Sequence, residues 1–385
     1  MCIRDRVGAA PEALAAARFT RTLDLAWRRT SYSALTAGVH GGRTGVVTEP
    51  EVRETDDEGP APDAGDGPDE GAPGSGAAGT GRTTTDAAAP LPGDAGHGGG
   101  HPALTVPSPM ADLPVGAGFG TLVHAVFETA DLTAADLRAE LLRCVRTELD
   151  RHPTPAVDPD ALADALVPVA RTPLGPLAAD RSLADLALSD RLAELDFELP
   201  LAGGDTPGAD VRLGDLVPLL RRHLSPGDPL AAYADRLAPL QSQPLRGYLT
   251  GSIDAVLRLH GPERYAVVDY KTNWLGPIGP DGREPLLAGH YTPDRLAAAM
   301  MDAHYPLQAL LYSAALHRFL RWRLGGGRGG YHPERHLGGV LYLFLRGMCG
   351  PDGPTVGSVP CGVFSWRPPA VLVTELSDLL DRGAP

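Results

Sequence analysis

A carboxylate and an ammonium stand two residues apart in the string Val267-Val268-Asp269-Tyr270-Lys271-Thr272-Asn273-Trp274. Lys271 is the only lysine among 385 residues; the other 33 of the 34 Lys+Arg positions are arginine. A chain that uses arginine wherever it can has kept one compact ammonium here. The two cations are not interchangeable beside a reacting group, since lysine is a point charge with rotatable donors and arginine a wide planar fork. On a strand, residues i and i+2 project from one face, so Asp269 and Lys271 share a side. Type and spacing together mark residues 269–271 as chemistry. The plainer reading of the same pair is a charge pair on a surface strand.

A second carboxylate strengthens the chemical reading. Residues 248–259 (YLTGSIDAVLRL) and 265–272 read as two strands, with His260-Gly261-Pro262-Glu263-Arg264 as the turn between them. A turn centred near Pro262 sets Asp254 opposite residue 270, give or take one, and Cβ atoms directly opposite each other lie about 4.5–5.5 Å apart. Asp254, Asp269 and Lys271 then gather at one end of a sheet. Carboxylates that close repel, and a divalent cation between them is the usual remedy. Hard oxygen donors favour Mg2+, with waters completing its coordination. Such an ion acidifies a bound water and clamps a phosphate oxygen. Lys271 would orient that water or neutralise charge growing on the phosphate.

Two helical pairs add candidates. His124 and Glu128 are one turn apart and share a face. His124 is either a satisfied core histidine or a ligand, and Glu128 either a solvated side chain or part of the site. Gln308 and Tyr312 have the same i, i+4 spacing, in YPLQALLY. Their amide and phenol could hold a DNA phosphate or strand, or could simply be helix-surface polarity.

These residues need elements to hold them. Apolar positions 119, 122, 123, 126 and 127 follow a helical period, and residues 133–150 continue as helix. Further Ala/Leu-rich helices run to about 193, and 195–201 alternates as a weak strand. Residues 294–324 are helical, with Pro306 predicting a break into two helices. Residues 340–345 (VLYLFL) read as a buried strand, 362–366 as a shorter one and 371–380 as a closing helix. The resulting class is α/β, a central mixed sheet flanked by helices. Before it, residues 37–115 are Gly-, Pro-, Asp-, Ala- and Thr-rich with almost no aromatics, a composition expected to be a disordered linker. Within it, residues 50–115 hold 12 Asp/Glu and 2 Arg and so carry −10 of the chain's net −14. The remainder is close to neutral, which leaves room for a local basic groove and for nucleic acid. Residues 1–36 form a short preceding segment in which Ser31 or Ser33 can cap a helix, and 116–385 form the main domain.

Composition also excludes. Cys2, Cys144, Cys349 and Cys361 are far apart with no CxxC pair, so a zinc or iron–sulfur site is not expected. No run of 18 apolar residues indicates a membrane span, and a cytoplasmic location fits. GxxxxGK[ST] does not occur, so no nucleotide motor is expected from these residues. The opening Met-Cys-Ile-Arg-Asp-Arg has no signal-peptide character and starts no obvious element, which suggests a truncated beginning.

Taken in order, the strings GTLVHAVFE, GYLTGSIDAVLRL, YAVVDYKTNWLG, YPLQALLYSAALHRFLRWRL and HLGGVLYLFLRGM resemble the RecB-type nuclease domains of the PD-(D/E)XK superfamily. WRRTSYSAL resembles the stretch just before such a domain. The resemblance covers about 115–380, together with 19–35. It implies a restriction-endonuclease-like fold and Mg2+-dependent hydrolysis of DNA during double-strand-break repair by recombination. It implies His124, Asp254 and Asp269 as metal ligands, with the Tyr270 backbone carbonyl, and Lys271 as the catalytic lysine. Gln308 and Tyr312 match the family's Q-x-x-x-Y motif; Glu128 has no assigned counterpart. The implied partners are DNA, RecC-like and RecD-like subunits and a recombinase. The helicase domains of such proteins are missing, so a fragment or a stand-alone nuclease piece is expected. A domain that docks a recombinase or partner subunits without cutting is the alternative from another class, and a phage-type exonuclease of the same superfamily is a third.

Overall fold

The computed structural model describes residues 27–40, 102–154, 156–205, 210–280, 282–325 and 330–382. Six strands form one mixed sheet: β1 (Arg28–Thr30), β2 (Arg191–Leu201), β3 (Gly247–Leu259), β4 (Arg264–Lys271), β5 (Leu337–Phe344) and β6 (Val363–Trp366). The longer helices are α1 (Tyr32–His40), α2 (Ala117–Thr129), α3 (Leu137–Arg151), α4 (Pro159–Arg171), α5 (Leu216–His223), α6 (Pro293–Asp302), α7 (Tyr305–Leu324) and α8 (Ala370–Arg382).

β3 organises the sheet. One edge runs antiparallel to β2 from Gly247 to Leu257. The other edge is divided between two strands: β1 lies parallel against Gly247–Leu249, and β4 antiparallel against 255–259. Residues 250–254 therefore form a notch on that edge, with no strand pairing among the described residues. β4 continues parallel beside β5, which pairs antiparallel with β6. Past residue 254, β3 and β4 part company, and the ends of both open into the notch.

Apolar side chains leave the sheet on both faces. Ala255, Leu257, Val268, Leu341 and Leu343 meet Phe119, Val123, Leu141 and Leu166 of α2–α4. Val256, Val267, Val340 and Phe344 meet Leu35, Leu310, Leu311 and Leu376 of α1, α7 and α8. Helices on both faces of a mixed sheet give the α/β class that the patterning implied.

The β3–β4 turn closes between Leu259 and Arg264, and the pair Ala255–Val268 sets Asp254 beside Asp269, within one residue of its expected place. Pro306 stands in the first turn of α7, and the helical stretch divides before it into α6 and α7, as expected. The Ser31 hydroxyl accepts from the Ala34 N–H at 3.2 Å and caps α1. α3 begins at Leu137 rather than 133, because the Asp136 carboxylate takes the Ala139 N–H and fixes the start there. β2 reaches back to Arg191, four residues before its expected start.

Two boundaries move. Residues 102–115, expected as linker, belong to the fold. Pro107 bridges Leu287, Met110 is fully buried, and the Arg346 guanidinium holds the carbonyls of Met110, Leu113 and Pro114. Residues 28–40 are not a separate preceding segment: β1 is a strand of the same sheet, and Tyr32, Leu35 and Thr36 are buried in its core. The rest of the acidic stretch, 41–101, lies outside the described residues. No helix among the described residues is long and apolar enough to cross a membrane.

Candidate active site

The notch in β3 is where the singled-out side chains meet. Asp269 and Lys271 are the last alternate residues of β4. Their side chains turn toward the α7 side of the sheet, and Lys271 Nζ lies 2.8 Å from Asp269 Oδ2, with both side chains 3% exposed. A buried ammonium is tolerated when it is paired at close range and its remaining hydrogens find partners. Lys271 also sits over the Tyr305 ring at 4.3 Å and near that of Tyr342 at 5.8 Å, so two aromatic faces share its charge.

Asp254 enters from β3, where that strand leaves its pairing with β4. Its Oδ2 accepts the Tyr270 N–H at 2.7 Å, and its Oδ1 lies 3.3 Å from His124 Nδ1. The carboxylate is thus anchored to the backbone between Asp269 and Lys271. His124 is delivered by α2, whose position on β4 is set through Tyr270. The Tyr270 ring stacks on Phe127 at 4.9 Å and meets His124 edge-on at 5.9 Å. Phe127, one turn from His124, is buried and packs this part of α2 against β4.

The electrostatics follow from this crowding. Burial pushes the Asp269 carboxyl well above the usual carboxylate range; Lys271 opposes the rise, the nearby Asp254 charge adds to it, and His124 counters. The charges of Asp254 and Asp269 act on each other with the lysine paired to Asp269 alone, an arrangement short of positive charge.

Gln308 and Tyr312 stand one turn apart on α7, as their spacing implied, but both are buried. Tyr342 donates its hydroxyl to Gln308 Oε1 at 2.9 Å, and Gln308 Nε2 reaches the Tyr312 hydroxyl at 3.4 Å. Tyr342 also reaches the Tyr305 carbonyl, and Tyr305 donates to Asn273 Oδ1 at 3.3 Å. This hydrogen-bonded cluster includes both rings that lie next to Lys271, and those rings stack on each other with centroids 5.7 Å apart. Side chains so placed do not grip a DNA strand directly; they fix the aromatic walls around the ammonium. Glu128 is half-buried on α2. Tyr305, Tyr342 and Asn273 were not singled out from the sequence. Tyr305 precedes Gln308 by three residues, a helical face shared with a flagged residue, and that spacing was the available signal.

Among the described residues, no three His, Cys, Asp or Glu side chains are already drawn around one point. The donors engage one another in pairs instead, His124 with Asp254 and Asp269 with Lys271. Their chemistry fits a hard divalent cation all the same: two carboxylates in electrostatic conflict, the carbonyl of Tyr270 directly after Asp269, and an imidazole.

A family profile described as the PD-(D/E)XK nuclease superfamily matches residues 103–355. The chain is 50% identical over 379 residues to the RecBCD enzyme subunit RecB of Mycolicibacterium smegmatis, covering 98% of this chain and 31% of that protein. It is 50% identical over 382 residues to the RecB subunit of Mycobacterium tuberculosis H37Rv, covering 95% and 30%. It is 33% identical over 267 residues to that of Escherichia coli K12, covering 69% and 19%. The chain therefore spans about a third or less of the length of these relatives.

Proposed function

Because this chain belongs to the PD-(D/E)XK nuclease superfamily, we propose that it is the nuclease part of a RecB-type subunit and hydrolyses phosphodiester bonds of DNA. The observation that carries the reading is the buried Asp269–Lys271 pair beside Asp254, at the one place in the sheet where β3 and β4 diverge. His124, Asp254, Asp269 and the Tyr270 carbonyl are the residues that would hold a divalent cation, for which Mg2+ is the proposed identity. Bound there, such an ion supplies Lewis-acid polarisation of the scissile phosphate and an acidified water.

The chain's own groups do the rest. Lys271 would donate to the attacking water or to a phosphate oxygen as charge develops, and the aromatic rings beside it would limit screening by water. Asp269 holds the ammonium in position through Oδ2. The Tyr270 N–H holds Asp254 at a fixed orientation, so its carboxylate would hold the cation without reorganising. Gln308, Tyr312 and Tyr342 position Tyr305 over Lys271.

The relatives' names refer to a RecBCD enzyme. The proposal extends accordingly to an assembly with RecC-like and RecD-like subunits, acting in the cytoplasm on duplex ends in recombinational repair, with a recombinase as a downstream partner. The test is digestion of linear duplex DNA with Mg2+ by the wild-type chain and by Asp269→Ala and Lys271→Ala, alone and with RecC-like and RecD-like subunits. Cleavage by the wild type and its loss of about 10²-fold or more in both variants is expected. DNA binding without any cleavage in the wild type, in either setting, would overturn the reading.

A further inference from the structure

Three residues beyond Lys271, Trp274 carries guanidinium groups against its ring. Arg346, from the end of β5, lies 5.7 Å from the ring centre and also 5.1 Å from Phe119. Arg283 lies 5.2 Å from the Trp274 ring and is exposed. Arg283 belongs to a small hairpin in which Ile278–Gly279 pairs with Gly282–Arg283, and Ile278 stands directly opposite Arg283. Residues opposite each other on paired strands present their side chains on one side. The hairpin thus offers an exposed cation next to an apolar side chain that is 72% exposed.

The base of this hairpin is built rather than loose. Gly276 packs so closely on Leu286, Trp274 and His290 that a Cβ there would stand 2.6 Å from Leu286. Arg295, exposed on α6, adds a second cation whose charge reaches His290, as does that of Glu284; the stretch itself holds two acids, Asp281 and Glu284, beside Arg283 in sequence. A guanidinium resting on an indole keeps its outward N–H donors free for a planar anion and has lost much of its conformational freedom in advance.

We infer that Arg283, held on Trp274, is a DNA-backbone contact, and that Arg283 and Ile278, facing each other on the paired strands Ile278–Gly279 and Gly282–Arg283, guide the strand entering the active site. The inference rests on the nuclease reading above and goes beyond it by naming a binding element outside the catalytic residues. Chain reach supports the placement. Three residues from Lys271 to Trp274, plus the ring contact, put Arg283 within roughly 20 Å of the lysine. At about 3.4 Å of axial rise per nucleotide, that is roughly six nucleotides or fewer from the scissile bond. The guanidinium would pair with a phosphate, and Ile278 would cover the sugar or base beside it.

The test uses the full chain and a fluorescein-labelled 20-base-pair duplex with a short single-stranded tail. Anisotropy in EDTA across a salt series gives affinity and its salt slope; single-turnover cleavage in Mg2+ at saturating DNA gives the chemical rate. Arg283→Ala is expected to weaken binding about five- to tenfold and to reduce the slope of log K against log salt by about one, with the saturating rate within twofold of wild type. Glu284→Gln, which removes the neighbouring acid, is expected to tighten binding. Wild-type affinity and slope in Arg283→Ala, alongside normal cleavage, overturn the inference while the nuclease reading stands. Failure of the wild type to cleave overturns the nuclease reading, and this inference with it.

Discussion

At the residue scale, the one lysine of the chain, Lys271, stands buried between a carboxylate and aromatic rings. Its solitary status in an arginine-rich chain singled it out, and its surroundings give the reason: the room between Asp269 and the Tyr305 and Tyr342 rings suits a small ammonium. A guanidinium would overfill the space, and overpacking of a buried site costs about 1–3 kcal/mol. Lys271→Arg is therefore expected to keep the positive charge yet lower single-turnover cleavage by about 10²- to 10³-fold, with a folded circular-dichroism spectrum. Near-normal cleavage would show that charge alone matters. His317 on α7 allows a separate prediction about stability. Burial lowers its imidazole to about 4, with Arg321 and Arg318 adding to the effect and Asp378 opposing it, while its Nδ1 meets the Tyr331 hydroxyl at 2.9 Å. A folded-state value below the unfolded one means that the unfolded chain binds the proton first as pH falls. The stability tied to a neutral His317 is thus whole above about pH 6.5 and is lost between there and about pH 4. Denaturant titrations should show His317→Gln flattening this part of the acid limb, by on the order of 2 kcal/mol after solvent screening.

At the element scale, the sequence made the site's scaffold legible where pattern and turn chemistry agreed. The β3–β4 hairpin could be read because Gly261-Pro262 separates two apolar strands, and once the turn was centred the meeting of Asp254 with Asp269 followed from counting. The break between α6 and α7 could be read from Pro306. Burial of Gln308 and Tyr312 could not, since amphipathic spacing is silent about what covers a face; only the position of β5, with Tyr342, turns that face inward. Arg346 was equally hidden. In sequence it is one arginine of 33, yet in the fold it is fully buried at the end of β5, and its Nε donates to the Thr272 carbonyl at 2.8 Å. With its hold on Met110, Leu113 and Pro114, it joins the end of the lysine-bearing strand to the segment that leads into the His124 helix. Arg346→Met keeps most of the apolar volume but leaves several buried carbonyls without their donor, at about 1–3 kcal/mol for each left unsatisfied. Urea unfolding should show a loss of about 3–5 kcal/mol. Hydrogen exchange should rise first at residues 108–116; a uniform rise over the whole sheet would mean that Arg346 does not act through that segment.

At the scale of the whole molecule, composition drew the wrong borders for a physical reason. Gly- and Pro-rich acidic sequence separates 28–40 from 102 onward, and one-dimensional reading takes such a stretch for a boundary between units. Pairing across a sheet is indifferent to chain distance. β1 lies along Gly247–Leu249, where Gly247 adopts a positive φ and a Cβ would stand 2.2 Å from the Arg28 carbonyl, so only glycine lets the strands approach. From this strand, α1 carries Tyr32 beneath the α6–α7 junction. The Tyr32 hydroxyl donates to the Ala303 carbonyl at 2.6 Å, and the Tyr233 hydroxyl meets His304 Nδ1 at 3.1 Å. His304 itself has φ +58°, a left-handed conformation that a non-glycine residue keeps only when its surroundings hold it. The next residue is Tyr305, one wall of the lysine site. The segment before the acidic stretch thereby supports the proposed catalytic geometry after it, and a protein starting at residue 102 should be a poorer nuclease than the full chain. Losing the burial of Tyr32 and Leu35 alone should cost about 3–6 kcal/mol. A separately supplied peptide of residues 27–40 should restore part of the cleavage rate to the shortened protein, more than the same peptide with Tyr32→Phe, because that variant packs but cannot hold the Ala303 carbonyl. Equal rescue by both peptides would leave α1 a filler of the core without a hold on the site, and full activity of the shortened protein would place the working boundary of the nuclease after the acidic stretch.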